Sequence, residues 1–223
     1  MHIEPGVVDG AKIVLSYATA LAAFGFSAKA SIDMIKKDGV MSLISRSTLT
    51  TLFVFAFFEL LPHHAVGVSE VHLILGSTLF LIFGPAAASI GLILGLLTQG
   101  VFFAQFDLPQ YGMNVTTLLL PLFAMSAVAR RTIVVNTAYV DISYKQALQL
   151  SLTYQGGIVA WVAFWAFYGQ GFGAENLVSV ATFGMAYMSV VLLEPVLDLA
   201  VLAGAKSLHR FKNSSLFEAR LFH

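Results

Sequence analysis

Residues 71–106 read VHLILGSTLFLIFGPAAASIGLILGLLTQGVFFAQF. The stretch is apolar throughout and contains no Asp, Glu, Lys or Arg. A helix crossing the hydrocarbon core of a bilayer needs about 20 mostly apolar residues. This run is too long for one crossing, and Gly84-Pro85 marks a tight break within it. It reads as two spans, roughly 71–84 and 86–106. Working outward, apolar segments at 11–31 and 47–62 precede it, and segments at 114–130, 147–168 and 177–204 follow. The spacing predicts an all-α integral membrane protein with about seven transmembrane helices. Residues 1–223 form a single transmembrane domain, with an N-terminal segment 1–10 and a tail 205–223.

Composition agrees. The chain is 58% hydrophobic and 11% charged, with a mean hydropathy of +0.83. Soluble domains are about a quarter charged, so lipid must cover part of this surface. The absence of cysteine excludes disulfides, thiolate metal sites and iron–sulfur clusters. Twelve basic and twelve acidic residues cancel, and no global field suggests nucleic acid as a partner. The start, Met1-His2-Ile3-Glu4-Pro5, lacks the basic region of a signal peptide, so the first residues are expected in the mature protein.

The basic residues predict an orientation. Lys29, Lys36, Lys37 and Arg46 surround the first connection, and Arg130, Arg131 and Lys145 the fifth. Lys206, Arg210, Lys212 and Arg220 fill the tail. With seven spans these clusters share one side, and the positive-inside rule makes that side cytoplasmic. The N-terminus is then outside and the C-terminus inside, in a multi-pass protein of the cell inner (plasma) membrane. Lys12 is the exception and can snorkel from an outer helix end. The outer face would carry Glu4, Asp9, Glu70, Asp107 and Glu175, together with His2, His63, His64 and His72.

Those histidines suggest metal capture, because imidazole is the commonest metal ligand. His2 is the most informative. With Met1 retained, its α-amine, the backbone nitrogen of His2 and the His2 Nδ1 can chelate one ion through unstrained five- and six-membered rings. Tetragonal nitrogen ligation suits Ni(II) or Cu(II). Ile3 and the Pro5-Gly6 turn let the terminus fold back toward the bundle. His72, at the mouth of the third span, could supply a fourth nitrogen; His63 and His64 are equally ligand-like by composition. Polar residues also lie at apolar depth: Glu59, Gln99, Asn114, Glu194 and Asp198. Such groups normally face the bundle interior or water, and helix–helix hydrogen bonding is an alternative role. Gly91 and Gly95 form a small-xxx-small spacing that permits close helix packing.

The start Met-His-Ile-x-x-Gly, the Val71-His72-Leu73 entry, the Leu81-Ile82-Phe83-Gly84-Pro85 break and the run from Gln99 through Gly112-Met113-Asn114 together resemble the CbiM/NikM family. These are the substrate-binding subunits of energy-coupling-factor importers for cobalt and nickel. The resemblance covers most of the chain and is strongest at the N-terminus and over 71–121. It implies a seven-helix subunit whose N-terminus inserts into the outer side of the bundle. By position it implies Met1, His2 and His72 as metal ligands. Asn114 supports the site loop, and Glu70 is a candidate neighbour of the ligands. It also implies separate ATPase subunits and a coupling transmembrane subunit as partners. The chain departs from the family in three places. Val71-His72-Leu73-Ile74-Leu75 replaces Ser-His-Pro-Thr-Gly; Glu4 and Pro5 stand where an acid usually precedes Gly6; and Gln105 replaces a histidine or acid.

No phosphate-binding Gly-x-x-x-x-Gly-Lys-Ser/Thr loop occurs, so an ATP motor would have to be borrowed. An enzyme is not expected, since there is no His-Glu-x-x-His. The rival reading is a stand-alone secondary metal permease, with Glu59, Glu194 and Asp198 relaying protons.

Overall fold

The computed structural model describes residues 2–210. Met1, Lys212 and Arg220, all given roles above, lie outside the described residues. Helices α1 (Val14–Asp38) and α2 (Val40–Glu59) are joined by Gly39 alone. Its φ of 84° and ψ of 164° are essentially reserved to glycine. An antiparallel hairpin follows, β1 (His64–Val66) and β2 (Ser69–Val71), with His64 opposite Val71. Four longer helices follow among the described residues: α3 (Gly76–Phe102), α4 (Tyr111–Thr132), α5 (Tyr144–Gln170) and α6 (Ala174–Arg210). Ser143 and Gln146 form a capping box that starts α5, and the Gln146 amide donates to Thr132 O, which fastens α5 to the end of α4.

Gly84 divides α3 into two arms. Its φ of 85° and ψ of 166° repeat the conformation of Gly39, and the chain reverses at both. Neighbours on either side establish the reversal. Ahead of Gly84, Ile74 N donates to Glu194 and the Ser77 and Thr78 hydroxyls donate to Asp198, so this arm runs with α6. Beyond it, Thr50 Oγ1 donates to Ala87 O at 2.7 Å and Gly95 packs on Val54, so the second arm runs with α2. Helix α2 ends at the hairpin. Helix α6 starts there, where Ser179 O lies against Gly67. The two arms are therefore antiparallel.

The sequence predicts about seven spans, with 47–62 and 71–84 short, and among the described residues six helices have the length and apolarity to cross a membrane. The difference falls on residues 71–84. Val71 is a strand residue paired with His64, and helix begins only at Gly76. The eight helical residues 76–83 span about 12 Å, less than half the hydrocarbon thickness. This pass is therefore made by an extended lead and a short arm, buried between other helices where irregular backbone is tolerated.

The N-terminal segment, the hairpin and the first residues of α1, α4 and α6 gather at one end, called here the hairpin end. Lys12 Nζ donates to Gly169 O there. At the far end Lys29, Lys37, Arg46 and Arg130 line one cavity, and Lys206 donates to Val140 O. The interior is built by residues such as Phe58, Met113, Leu118, Tyr154 and Trp165, all fully buried. Leu21, Met41 and Leu192, each about 70% exposed, face outward as lipid-covered residues do. The Gly91 and Gly95 spacing is architecture: a Cβ would lie 2.5 Å from Thr50 Cβ at Gly91 and 2.6 Å from Val54 Cγ1 at Gly95.

Candidate metal centre

The site is assembled by adding the N-terminus to the hairpin. Ile3 bridges to Ser69, Glu4 N donates to Val68 O, and both Glu70 N and Ser69 Oγ donate to His2 O at 2.8 Å. Ile3 N donates to Asn114 Oδ1, also at 2.8 Å, at the first turn of α4. Ile3 has no exposed surface, so the terminus is held beside the hairpin by one β-bridge, backbone hydrogen bonds, an amide side chain and apolar burial. This places His2 inside the bundle mouth, 2% exposed, with its ring centroid 5.5 Å from that of His72.

His72 is 1% exposed. Its Nε2 lies 2.7 Å from Glu70 Oε2, and its Nδ1 has no hydrogen-bond partner among the described residues. A carboxylate accepts, so Nε2 carries the proton and Nδ1 keeps a free lone pair. This is the arrangement of a histidine prepared to ligate a metal, with a carboxylate fixing its tautomer. Phe58 and His63 pack on the ring at centroid distances of 5.3 and 5.0 Å. His63 and His64 are themselves exposed, which separates them from His72 as the sequence could not. One ligand atom from each of His2, Glu70 and His72 falls within a common 4.8 Å.

Two partners of His2 were not picked out as site residues by the sequence reading. Its Nδ1 lies 2.5 Å from Asp107 Oδ2 and its Nε2 2.7 Å from Gln99 Oε1. Gln99 carried a signal, being an amide within an apolar span; Asp107 looked like any acid of an outer loop. The Asp107 contact also revises the expected chelate. Asp107 holds the ring nitrogen that the expected chelate would need.

The electrostatics favour a cation. Burial lifts the Glu4 carboxyl above its ordinary value, and Glu70 and Asp107 lift it further. Burial also acts against ionised Glu70, but the His72 hydrogen bond and the charge of His2 outweigh it and hold the group at about 2. His72 precedes the membrane-length helix, and burial drives its imidazole down to about 3. The centre therefore offers neutral imidazole and ionised carboxylate together, as metal ligation requires.

Glu194 and Asp198 fasten the segment beneath His72. Glu194 accepts from Ile74 N and from the Gln155 amide, while Asp198 accepts from Ser77 and Thr78. Leu75, between these contacts, has φ 53° and ψ 35°, a left-handed conformation unusual for a branched residue. Glu59 ends α2 and is only partly buried.

Residues 2–210 match the model of the family described as the cobalt uptake substrate-specific transmembrane region, CbiM. The chain belongs to that family. Two solved structures have the same fold. A truncated transition metal transporter superposes with a TM-score of 0.68 at 16% identity, over 95% of this chain and 97% of its own. A transition metal transporter superposes with a TM-score of 0.64 at 16% identity, over the whole of both chains. Comparison with curated protein sequences gives no match. Both structural neighbours are transporters by description, not enzymes. In this CbiM-family chain, His2, Glu70, His72 and Asn114 meet at the hairpin end, with Gln99 and Asp107 completing the enclosure.

Proposed function

We propose that this chain captures a divalent cobalt or nickel ion as transport substrate and hands it inward as the substrate-specific subunit of an energy-coupling-factor importer. The observation that carries this reading is the buried Nδ1 of His72, without a partner among the described residues, in a ring that lies beside that of His2. A buried imidazole nitrogen without a partner costs about 1–3 kcal/mol, and an incoming ion removes that cost. Met1, through its α-amine, and the His2 backbone nitrogen and Nδ1 would supply the other ligands once Nδ1 is released from Asp107. Glu70 and Asn114 hold His72 and the N-terminal segment in place.

The chain sits in a cell inner membrane with the hairpin end outward, in agreement with basic residues at the far end. Separate ATPase subunits and a coupling membrane subunit supply the drive. Glu194 and Asp198 serve to pin the His72 segment rather than to relay protons, because both are engaged by Ile74, Ser77 and Thr78. The test is elemental analysis of the full chain, tagged only at its C-terminus and purified from cells given cobalt and nickel. A single tightly held ion of either element per chain is expected. A metal-free protein under both supplements overturns the reading.

A further inference from the structure

We propose that the cavity at the far end binds an anionic phospholipid, as a site separate from the metal centre. The cavity holds about 790 Å³ between the last turns of α1, the start of α2, the Gly84 turn and the end of α4. Two kinds of surface line it. One is cationic: Lys29, Lys37, Arg46 and Arg130 against Asp33 and Asp38, a net of two positive charges. The other is aromatic: Phe26, Phe83 and Phe123.

The cations are not consumed within the protein. Arg46 pairs with Asp38 at 3.3 Å, and Arg130 donates to the neutral Ser126 hydroxyl at 3.0 Å. Lys29 and Lys37 are exposed and make no ion pair among the described residues. Phe26 is 62% exposed, yet its ring packs on Phe123 at 5.7 Å, forming an apolar shelf beside the lysines. The far end of this bundle is also its basic end, where the facing leaflet is rich in anionic headgroups.

Charge complementarity with an adjoining apolar shelf selects the occupant. A phosphodiester headgroup matches Lys29, Lys37 and Arg130, and its acyl chains would cover Phe26 and Phe123. Inorganic phosphate would satisfy the cations and leave the rings bare. A zwitterionic lipid would cover the rings but bring its own cation toward the lysines. Basic pockets between transmembrane helices on the cytoplasmic side take anionic headgroups for this reason.

Native mass spectrometry and thermal unfolding of the detergent-purified full chain test the site, using phosphatidylglycerol, phosphatidylcholine at equal mole fraction, and sodium phosphate. Phosphatidylglycerol should remain bound and raise the unfolding temperature; the other two should not. The double variant Lys29→Gln/Lys37→Gln should weaken phosphatidylglycerol retention roughly 30-fold. Lys145→Gln, at the same end but outside the cavity, should not. Unchanged metal content shows that the variants are folded and keeps this result separate from the metal reading. Equal stabilisation by phosphatidylcholine or by phosphate overturns the proposal. So does a double variant that retains the lipid normally but loses co-purification with ATPase subunits, which would make the cavity a subunit-docking face.

Discussion

Glu70 Oε2 accepts from His72 Nε2 at 2.7 Å, two residues apart along the chain, and thereby leaves His72 Nδ1 as the ring nitrogen without a partner among the described residues, in a ring whose centroid lies 5.5 Å from that of His2. Removing the ring should remove the site. His72→Ala is expected to abolish most cobalt or nickel binding by titration calorimetry. Glu70→Gln should weaken it about 10–100-fold, the usual cost of losing the group that orients a metal-ligating histidine. His63→Ala and His64→Ala should have small effects, since both residues are exposed. Equal losses at all three histidines would point to a surface cluster instead.

The terminal chelate makes position 2 count from the chain end. Inserting one alanine between Met1 and His2 lengthens the link between amine and imidazole, yet leaves Ile3 bonded to Asn114 and buried. Acetylating the terminus removes the amine lone pair without changing the spacing. Both should strongly reduce metal stoichiometry while the circular dichroism spectrum stays helical. A chain extended at its N-terminus that still holds an ion tightly would rule out the amine as a ligand.

Binding should release protons and weaken in acid. Glu70 is held at about 2 and His72 at about 3, so neither changes state between pH 5 and 8. A depressed carboxyl stays ionised and a depressed imidazole stays neutral throughout that window. Any pH dependence there must come from groups of the site other than these two. Calorimetry in buffers of different ionisation enthalpy should show net proton release at pH 7 in the native chain. A pH-independent affinity from 5 to 8 would contradict displacement of His2 from Asp107.

Glu194 should position His72 from below. Glu194→Ala leaves Ile74 N and the Gln155 amide without their acceptor in a buried place. The expected loss is about 1–3 kcal/mol of stability, with weaker metal binding as the strained Leu75 turn relaxes. Glu194→Gln keeps an acceptor for Ile74 and should recover much of the metal affinity. If both variants bind metal normally, the contact is structural only.

Two glycines of α3 should fail for different reasons. A Cβ at Gly84 meets nothing within 4 Å, so Gly84→Ala costs only the backbone strain of φ 85°, about 1–3 kcal/mol. Gly91→Ala drives a Cβ to 2.5 Å from Thr50 and must push α2 away. Thermal unfolding should show both destabilised. A second substitution, Thr50→Gly, which removes the Cβ and Oγ1 that lie 2.5 Å from the added Cβ, should partly relieve only the Gly91 variant.

Much of the architecture was legible in the chain itself. An apolar run of bilayer length identifies a membrane helix whatever surrounds it, because the lipid imposes the requirement segment by segment. The Gly84-Pro85 break, the Gly91 and Gly95 contacts and the segregation of basic residues were readable for the same reason. Each depends on local composition. What the sequence left open is pairwise. Residues 71–75 are apolar enough to continue a helix, and only pairing of Val71 with His64 makes the lead extended and the following arm short. His63, His64 and His72 have the same chemistry, and only packing against Phe58 and burial beside His2 single out His72. Gln99 and Asp107 stand 97 and 105 residues from His2 along the chain. No periodicity records such a separation, because a hydrogen bond depends on which surfaces the packed helices bring within 3 Å, and that is decided by the tertiary structure alone.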